Sequence, residues 1–231
     1  MLLDHSLGRA VQVDPGVYAP QHDSLLLIDT MRQIAPPEGR RVCDLYTGTG
    51  YLALEAARLG AASVVAFDIC PHAVKCAKGN AVRTGFNIDV VQGDWTRAAG
   101  REPFDLVLAN PPYVPGDRRV ILSDNVPTSA GPALAFHAGV SGRLVLDPLC
   151  AHAREILAPG GVLLVVQSEF ADIAQTVHTL NASGLKAEIA AEQYVPFGPV
   201  MSARAAWLER MGRLQTGRRV ERLAVVAAKF S

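Results

Sequence analysis

The chain has 231 residues, 49% hydrophobic and 19% charged, enough for one globular unit with a sizeable core. Its 22 Lys and Arg balance its 22 Asp and Glu, so it lacks the basic surplus expected of a protein that grips a long nucleic-acid backbone. No apolar run is long enough to cross a membrane, and the opening MLLDHSLGRAVQVD lacks the basic-then-apolar layout of a secretory leader.

The four cysteines (Cys43, Cys70, Cys76, Cys150) form no CxxC pair and have no His at zinc spacing, so small buried thiols in a reducing cytoplasm are expected. In chain order, short β-branched runs alternate with amphipathic segments, the pattern of βαβ units around a parallel sheet. VQVDPGVYAP reads as extended with a turn at Pro15-Gly16, and residues 23–35 as a helix capped by Asp23 or Ser24. A strand at 40–46 leads through a glycine turn to a helix over 51–60. A strand at 63–69 is followed by a helix from Pro71, a residue suited to a first helical turn. Strands are expected at 88–94 and 104–110. After a long irregular connection from 111 to about 142, a helix over 143–158 and a strand at 161–168 follow. A helix over 170–184 and strands at 186–195 and 222–230 complete the pattern, with a helix over 202–214 between the last two strands. PFGPVMSA reads as a second irregular connection. Long irregular loops in compact domains are often functional.

Four stretches carry chemistry. In DLYTGTG, a strand ends in Asp44 and a small-residue turn through Tyr46 and Gly48 opens a helix. Glycine there lets a ligand approach the backbone, and the helix start offers free N–H groups. Taken alone, this turn is also an ordinary strand-to-helix connection. In VVAFDIC, Asp68 ends the next strand, about 20 residues on, where an acid can accept from ribose hydroxyls or cap the following helix. In QGDW, Asp94 can accept from an adenine amine and Trp95 offers an apolar wall. In NPPY, Asn110 supplies an acceptor oxygen, the prolines leave mainly carbonyl acceptors on the local backbone, and Tyr113 adds a flat face. All four follow strands of one parallel sheet, so they share its carboxyl edge, where open α/β sheets bind ligands. Two acceptors and an aromatic plate suit a planar substrate bearing an NH2 group.

The set DLYTGTG, FDI, GDW and NPPY, in this order and spacing, resembles the class I S-adenosylmethionine-dependent methyltransferases that methylate planar nitrogen. Within them it resembles the HemK-like protein glutamine methyltransferases, in a short form without the N-terminal helical domain. GVYAPQHDSLLLID is similar to that family's lead-in segment, and the likeness extends from about Gly16 to the last strand. The resemblance implies a Rossmann-like, mostly parallel seven-stranded sheet with an antiparallel last strand and helices on both faces. It implies one domain over 1–231, with a lead-in of about 1–36 and a C-terminal insertion of about 196–220. It implies S-adenosylmethionine as cofactor, S-adenosylhomocysteine as product, and the glutamine amide of a peptide-chain release factor as acceptor. It also leaves room for an activating partner subunit.

Carried over residue by residue, Ser24 approaches the cofactor, Asp44 and the backbone at Tyr46 and Gly48 hold its methionine portion, and Asp68 binds its ribose. Asp94 and Trp95 flank its adenine. Asn110 and the Pro111 carbonyl accept from the target nitrogen, and Tyr113 stacks on its plane. Tyr46 departs from the glycine that often opens this turn in the family. No metal and no activated Ser, Cys or His is implied, because proximity and a fixed attack line suffice for an in-line methyl displacement.

Three other readings stay open. The first is a nucleic-acid methyltransferase acting on an extruded base, supported by Arg204, Arg210, Arg213, Arg218, Arg219 and Arg222. The second is a small-molecule N-methyltransferase with the insertion as a lid. The third is a binding relic without activity. The helix within the insertion is expected either to cover the NPPY site, with Trp207 toward Tyr113 and the loop after it, or to pack with Trp207 buried away from it.

Overall fold

The computed structural model describes residues 10–117, 126–127 and 130–231. The start of the N-terminal stretch, residues 1–9, and residues 118–125 and 128–129 of the long connection lie outside the described residues.

The order is α1 (His22–Ile34), β1 (Arg41–Leu45), α2 (Tyr51–Arg58), β2 (Ser63–Asp68), α3 (Pro71–Thr84), β3 (Asp89–Gln92), α4 (Trp95–Ala99) and β4 (Phe104–Ala109). Then follow α5 (Leu146–His152), β5 (Leu157–Ser168), α6 (Ile173–Ala182), β6 (Lys186–Pro196), α7 (Pro199–Arg210) and β7 (Val220–Lys229). One seven-stranded sheet runs β3-β2-β1-β4-β5-β7-β6. The pairings from β3 through β5 are parallel, and β7 is antiparallel to both β5 and β6. The expected sheet with an antiparallel last strand is therefore present.

The central strands are apolar throughout because both of their faces are covered. Along β4, Leu106 and Leu108 pack into the layer with Leu27, Leu52 and Val74 of α1, α2 and α3. Val107 and Ala109 pack into the opposite layer with Leu149, Leu180 and Leu208 of α5, α6 and α7. The same alternation divides Leu164 and Val166 from Leu163 and Val165 in β5. Period-two side-chain placement turns one apolar run into two cores. The sheet order reverses between β1 and β4, so their carboxyl ends flank a crevice.

Several boundaries differ from the sequence pattern for identifiable reasons. Helix α1 is capped at Gln21, with no side-chain cap, and neither Asp23 nor Ser24 serves. The Asp23 carboxylate is engaged elsewhere, as described below. Helix α5 is cut to seven residues, a 3-10 turn covers Ala153–Ile156, and β5 begins at Leu157 rather than at 161. A close approach accounts for the glycine there: a Cβ on Gly161 would lie 2.8 Å from the Phe104 carbonyl oxygen. Helix α6 starts at Ile173, because Asp172 takes a left-handed conformation and accepts from the Gln175 N–H. Helix α7 begins at Pro199, inside the stretch read as irregular, and ends before Gly212. Proline fits there because a first-turn N–H has no intrahelical partner.

Candidate active site

The ends of β1, β2 and β4, the segment before α1 and the start of α7 enclose one cavity. Its wall includes Ser24, Tyr46, Gly48, Asp68, Asn110, Pro111 and Tyr113.

On one side the cavity is built from backbone. Tyr46 has φ 63°, uncommon for a bulky residue, and Gly48 and Gly50 have φ 55° and 83°. A Cβ on Gly48 would meet only the Tyr18 carbonyl, at 3.9 Å, so the backbone here is open to a ligand. Asp68 accepts from the Gly48 N–H at 2.9 Å and the Cys70 N–H at 2.9 Å, one bond per oxygen. Each oxygen keeps acceptor capacity for a hydroxyl donor. Burial raises the Asp68 pKa, and these backbone donors oppose the shift.

Asp44 is not on the cavity wall. It is fully buried beneath the turn, where one oxygen accepts from the Thr47 hydroxyl and the Ala53 N–H. Its other oxygen has no hydrogen-bond partner among the described residues, and burial pushes its pKa up to about 7. Asp44 therefore braces the turn from below. Asp94 and Trp95 also lie off the wall. Asp94 caps α4 through the Thr96 N–H at 3.0 Å and the Thr96 hydroxyl, and Trp95 stacks on His152 with ring centroids 5.1 Å apart.

The other side of the cavity is built from side chains that sequence reasoning did not join. Asp23 is buried and is the hub. It accepts from the Ser24 N–H at 2.6 Å, the Ser24 hydroxyl at 3.2 Å, the Tyr18 hydroxyl at 3.2 Å and the Tyr113 hydroxyl at 2.9 Å. The Ser24 hydroxyl spends its proton on this carboxylate, so its oxygen can only accept from Asn110. It does so, from Nδ2 at 3.3 Å. The Asn110 amide is thereby oriented, and its Oδ1 has no hydrogen bond among the described residues. Tyr113 is 8% exposed and tied to Asp23, so its ring is fixed against the cavity rather than free to swing. Burial, and next the Asp23 charge, raise the pKa values of Tyr18 and Tyr113. A donor-less proline pair, a polarised Asn oxygen and a locked ring make a site that receives N–H groups.

Helix α7 contributes Pro199, Val200 and Met201 to the same wall. Trp207 is buried, and its indole N–H donates to Asp117, in the loop after Tyr113, at 3.2 Å. Neither expectation for this helix holds alone: Trp207 is turned toward the loop after Tyr113, yet it is buried in the core layer and is not on the cavity wall.

The arginine cluster is largely engaged in internal contacts. Arg218 pairs with Glu169, Arg219 with Glu209 at 2.6 Å and Arg222 with Glu192 at 2.7 Å. Arg213 donates to the carbonyls of Val140, Ser141 and Phe170, Arg204 is fully buried, and Arg210 is exposed.

Residues 9–135 match the methyltransferase small domain. The chain belongs to that methyltransferase family. It is 33% identical, over 84% of its own length and 93% of the relative's, to a Methanocaldococcus jannaschii protein named for protein N5-glutamine methyltransferase activity. It is 38% identical to the release factor glutamine methyltransferase of Deinococcus radiodurans, over 61% of this chain and 49% of that one. The chain thus spans nearly all of the first relative and about half of the second. Among solved structures, it superposes on an E. cuniculi Mtq2–Trm112 complex described as methylating the eRF1 translation termination factor. The TM-score is 0.62 at 20% identity, covering 94% of this chain and 99% of that one. It also superposes on a T. Thermophilus 16S rRNA N2 G1207 methyltransferase in complex with AdoMet and guanosine. Here the TM-score is 0.55 at 19% identity, covering 92% of this chain and 44% of that one. At these identities the likeness shows the fold.

Proposed function

We propose that this methyltransferase transfers a methyl group from S-adenosylmethionine to the side-chain amide nitrogen of a protein glutamine, with a peptide-chain release factor as acceptor. The observation that carries the reading is the chain Asp23 to Ser24 to Asn110, which leaves the Asn110 oxygen to accept from an NH2 group.

The wall fits the cofactor. Asp68 suits a ribose diol, the open backbone at Tyr46 and Gly48 suits the methionine portion, and Ser24 lines the same cavity. Asp44 acts by holding the turn. In this reading Asp94 and Trp95, just past the end of β3, flank the adenine. S-adenosylmethionine supplies an electrophilic methyl group on a sulfonium centre. The protein's residues do the rest. Asn110 Oδ1 and the Pro111 carbonyl accept the two amide N–H bonds, which orients the nitrogen and draws its lone pair out of conjugation. Tyr113 holds the amide plane. Proximity and alignment then supply the catalysis, and the departing proton passes to solvent without a dedicated base.

A protein acceptor is favoured by the cavity's rim, where Leu134 and Leu144 are 53% and 69% exposed. Apolar side chains at a site mouth suit a docking macromolecule better than a small polar metabolite. The nucleic-acid reading loses its support where the arginines are paired internally. The reading puts the reaction in the cytoplasm; the four cysteines are free, and no helix among the described residues is long and apolar enough to cross a membrane.

The test is labelled S-adenosylmethionine with purified release factor, total RNA, DNA and a metabolite extract offered separately. Label is expected on the release factor, lost when its acceptor glutamine is replaced. Label confined to RNA or to a metabolite overturns the reading. The isolated chain is assayed first, so that a requirement for a partner subunit shows as activity only with added extract protein.

A further inference from the structure

Glu221, at the start of β7, has no part in the account above, yet it sits on the wall of the same cavity. It is 5% exposed, and it pairs in register with Val195 of β6, another wall residue. The Ser168 side chain at the end of β5 is near enough to hold the Glu221 pKa down somewhat against its burial, and Oε2 is buried with no hydrogen-bond partner among the described residues. A buried carboxylate oxygen with an empty coordination position is unfavourable unless something fills it.

The groups acting on Glu221 make the vacancy selective. Asp23 from α1 and Glu169 from the turn after β5 repel its charge, and Arg218, before β7, opposes them. Arg218 is already paired with Glu169, so little positive charge is left for Glu221. Tyr18 and Tyr113, whose pKa values the Glu221 charge helps to raise, both have hydroxyls committed to Asp23. This part of the cavity is rich in acceptors and takes a ligand that brings its own N–H.

We propose that Glu221 is an acceptor-binding residue whose carboxylate receives an N–H from the acceptor peptide backbone next to the reacting glutamine. This assignment rests on the glutamine reading of the site. Asn110 and Pro111 hold the reacting amide, and Glu221 holds the chain that presents it. The carboxylate state is the stronger acceptor, because hydrogen bonds to a charged group exceed those to a neutral one. Burial pushes the Glu221 pKa up to about 7, so the binding form appears as pH rises through neutrality.

The experiment compares wild type, Glu221→Gln and Glu221→Ala on intact release factor at saturating S-adenosylmethionine, from pH 6 to pH 8.5. Saturation keeps the titration of Asp44 beneath the cofactor turn out of the readout. S-adenosylhomocysteine binding and melting temperature are measured for each protein. Glu221→Gln is expected to keep its melting temperature and to bind S-adenosylhomocysteine within about twofold of wild type. Its acceptor KM should rise about tenfold, equivalent to about 1.4 kcal/mol. Wild-type kcat/KM should climb through pH 7, and the Gln variant should be flat across that window. A Gln variant with wild-type KM and the wild-type pH profile overturns the proposal. So does a loss confined to Glu221→Ala that tracks a fall in its melting temperature. Wild type inactive on release factor defeats the substrate reading instead, and the same KM and pH comparison is then made on whichever acceptor class wild type labels.

Discussion

The two halves of the cavity are made differently. The half at the ends of β1 and β2 is backbone: a turn of positive-φ residues, a glycine open to a ligand and one strand-end carboxylate, all from a stretch between Asp44 and Cys70. The half at the end of β4 is an assembly of side chains from Tyr18, Asp23, Ser24, Asn110 and Tyr113, joined by bonds such as Tyr113 to Asp23 across 90 residues, with Glu221 on the same wall. The first half can bind any nucleotide-like ligand that fits the turn. The second depends on several side chains holding one another in a single arrangement. The comparison suggests that cofactor affinity and acceptor chemistry separate under mutation.

The largest effect is expected at Asn110. Asn110→Ala should lower kcat by about 100-fold, the scale of losing one preorganised polar contact to the reacting group. S-adenosylhomocysteine affinity should stay within about threefold by calorimetry. A parallel loss of cofactor binding would merge the two halves. Asp68→Ala should show the opposite pattern. Cofactor affinity should fall by about 1.5–3 kcal/mol, the worth of hydrogen bonds to a charged group, with acceptor KM little changed. Unaltered S-adenosylmethionine binding in that variant would remove Asp68 from the cofactor side.

Trp207→Phe tests whether α7 belongs with the acceptor half. Losing the bond to Asp117 should lower stability by about 1 kcal/mol in denaturant melts and raise acceptor KM, with cofactor affinity unchanged. An unchanged KM would leave α7 a packing helix. A last signal is the pH slope of stability. Burial raises the Asp44 pKa from 3.8 to about 7, so the folded chain binds more protons than the unfolded one between those values. This group's contribution therefore falls as pH rises from about 4 to about 7. Asp44→Asn should flatten the wild-type curve over that window, and an identical slope in both proteins would contradict the assignment.

The backbone half was legible in the sequence because its parts are local. Strand periodicity located Asp44, Asp68 and Asn110 at strand ends, and glycine spacing located the turn. Legibility stopped where side-chain reach decides. Asp44 turns under the loop rather than into the cavity, and Asp94 caps α4. Both are strand-end acids by pattern, and only the packed turn distinguishes them from Asp68. Asp23 reads as a helix cap from its neighbours, since Tyr18 and Tyr113 reach it only after the chain has folded. Glu221 is a lone acid entering an apolar strand, with nothing nearby in sequence to mark it. The boundaries of β5, α6 and α7 moved for the same kind of reason, through a tight glycine approach, a left-handed Asp cap and a proline that opens a helix.

The central claim is that Asp23, through Ser24, sets the polarity of Asn110. A double-mutant cycle on kcat, with Asp23→Asn, Asn110→Ala and the pair, tests it most directly. If Asp23 acts through Asn110, its substitution costs turnover only while Asn110 is present. The double variant should then turn over within about threefold of Asn110→Ala alone, a strong coupling for residues in one network. If the two losses instead multiply, Asp23 and Asn110 act independently, and the hydrogen-bonded chain between them does not orient the acceptor oxygen.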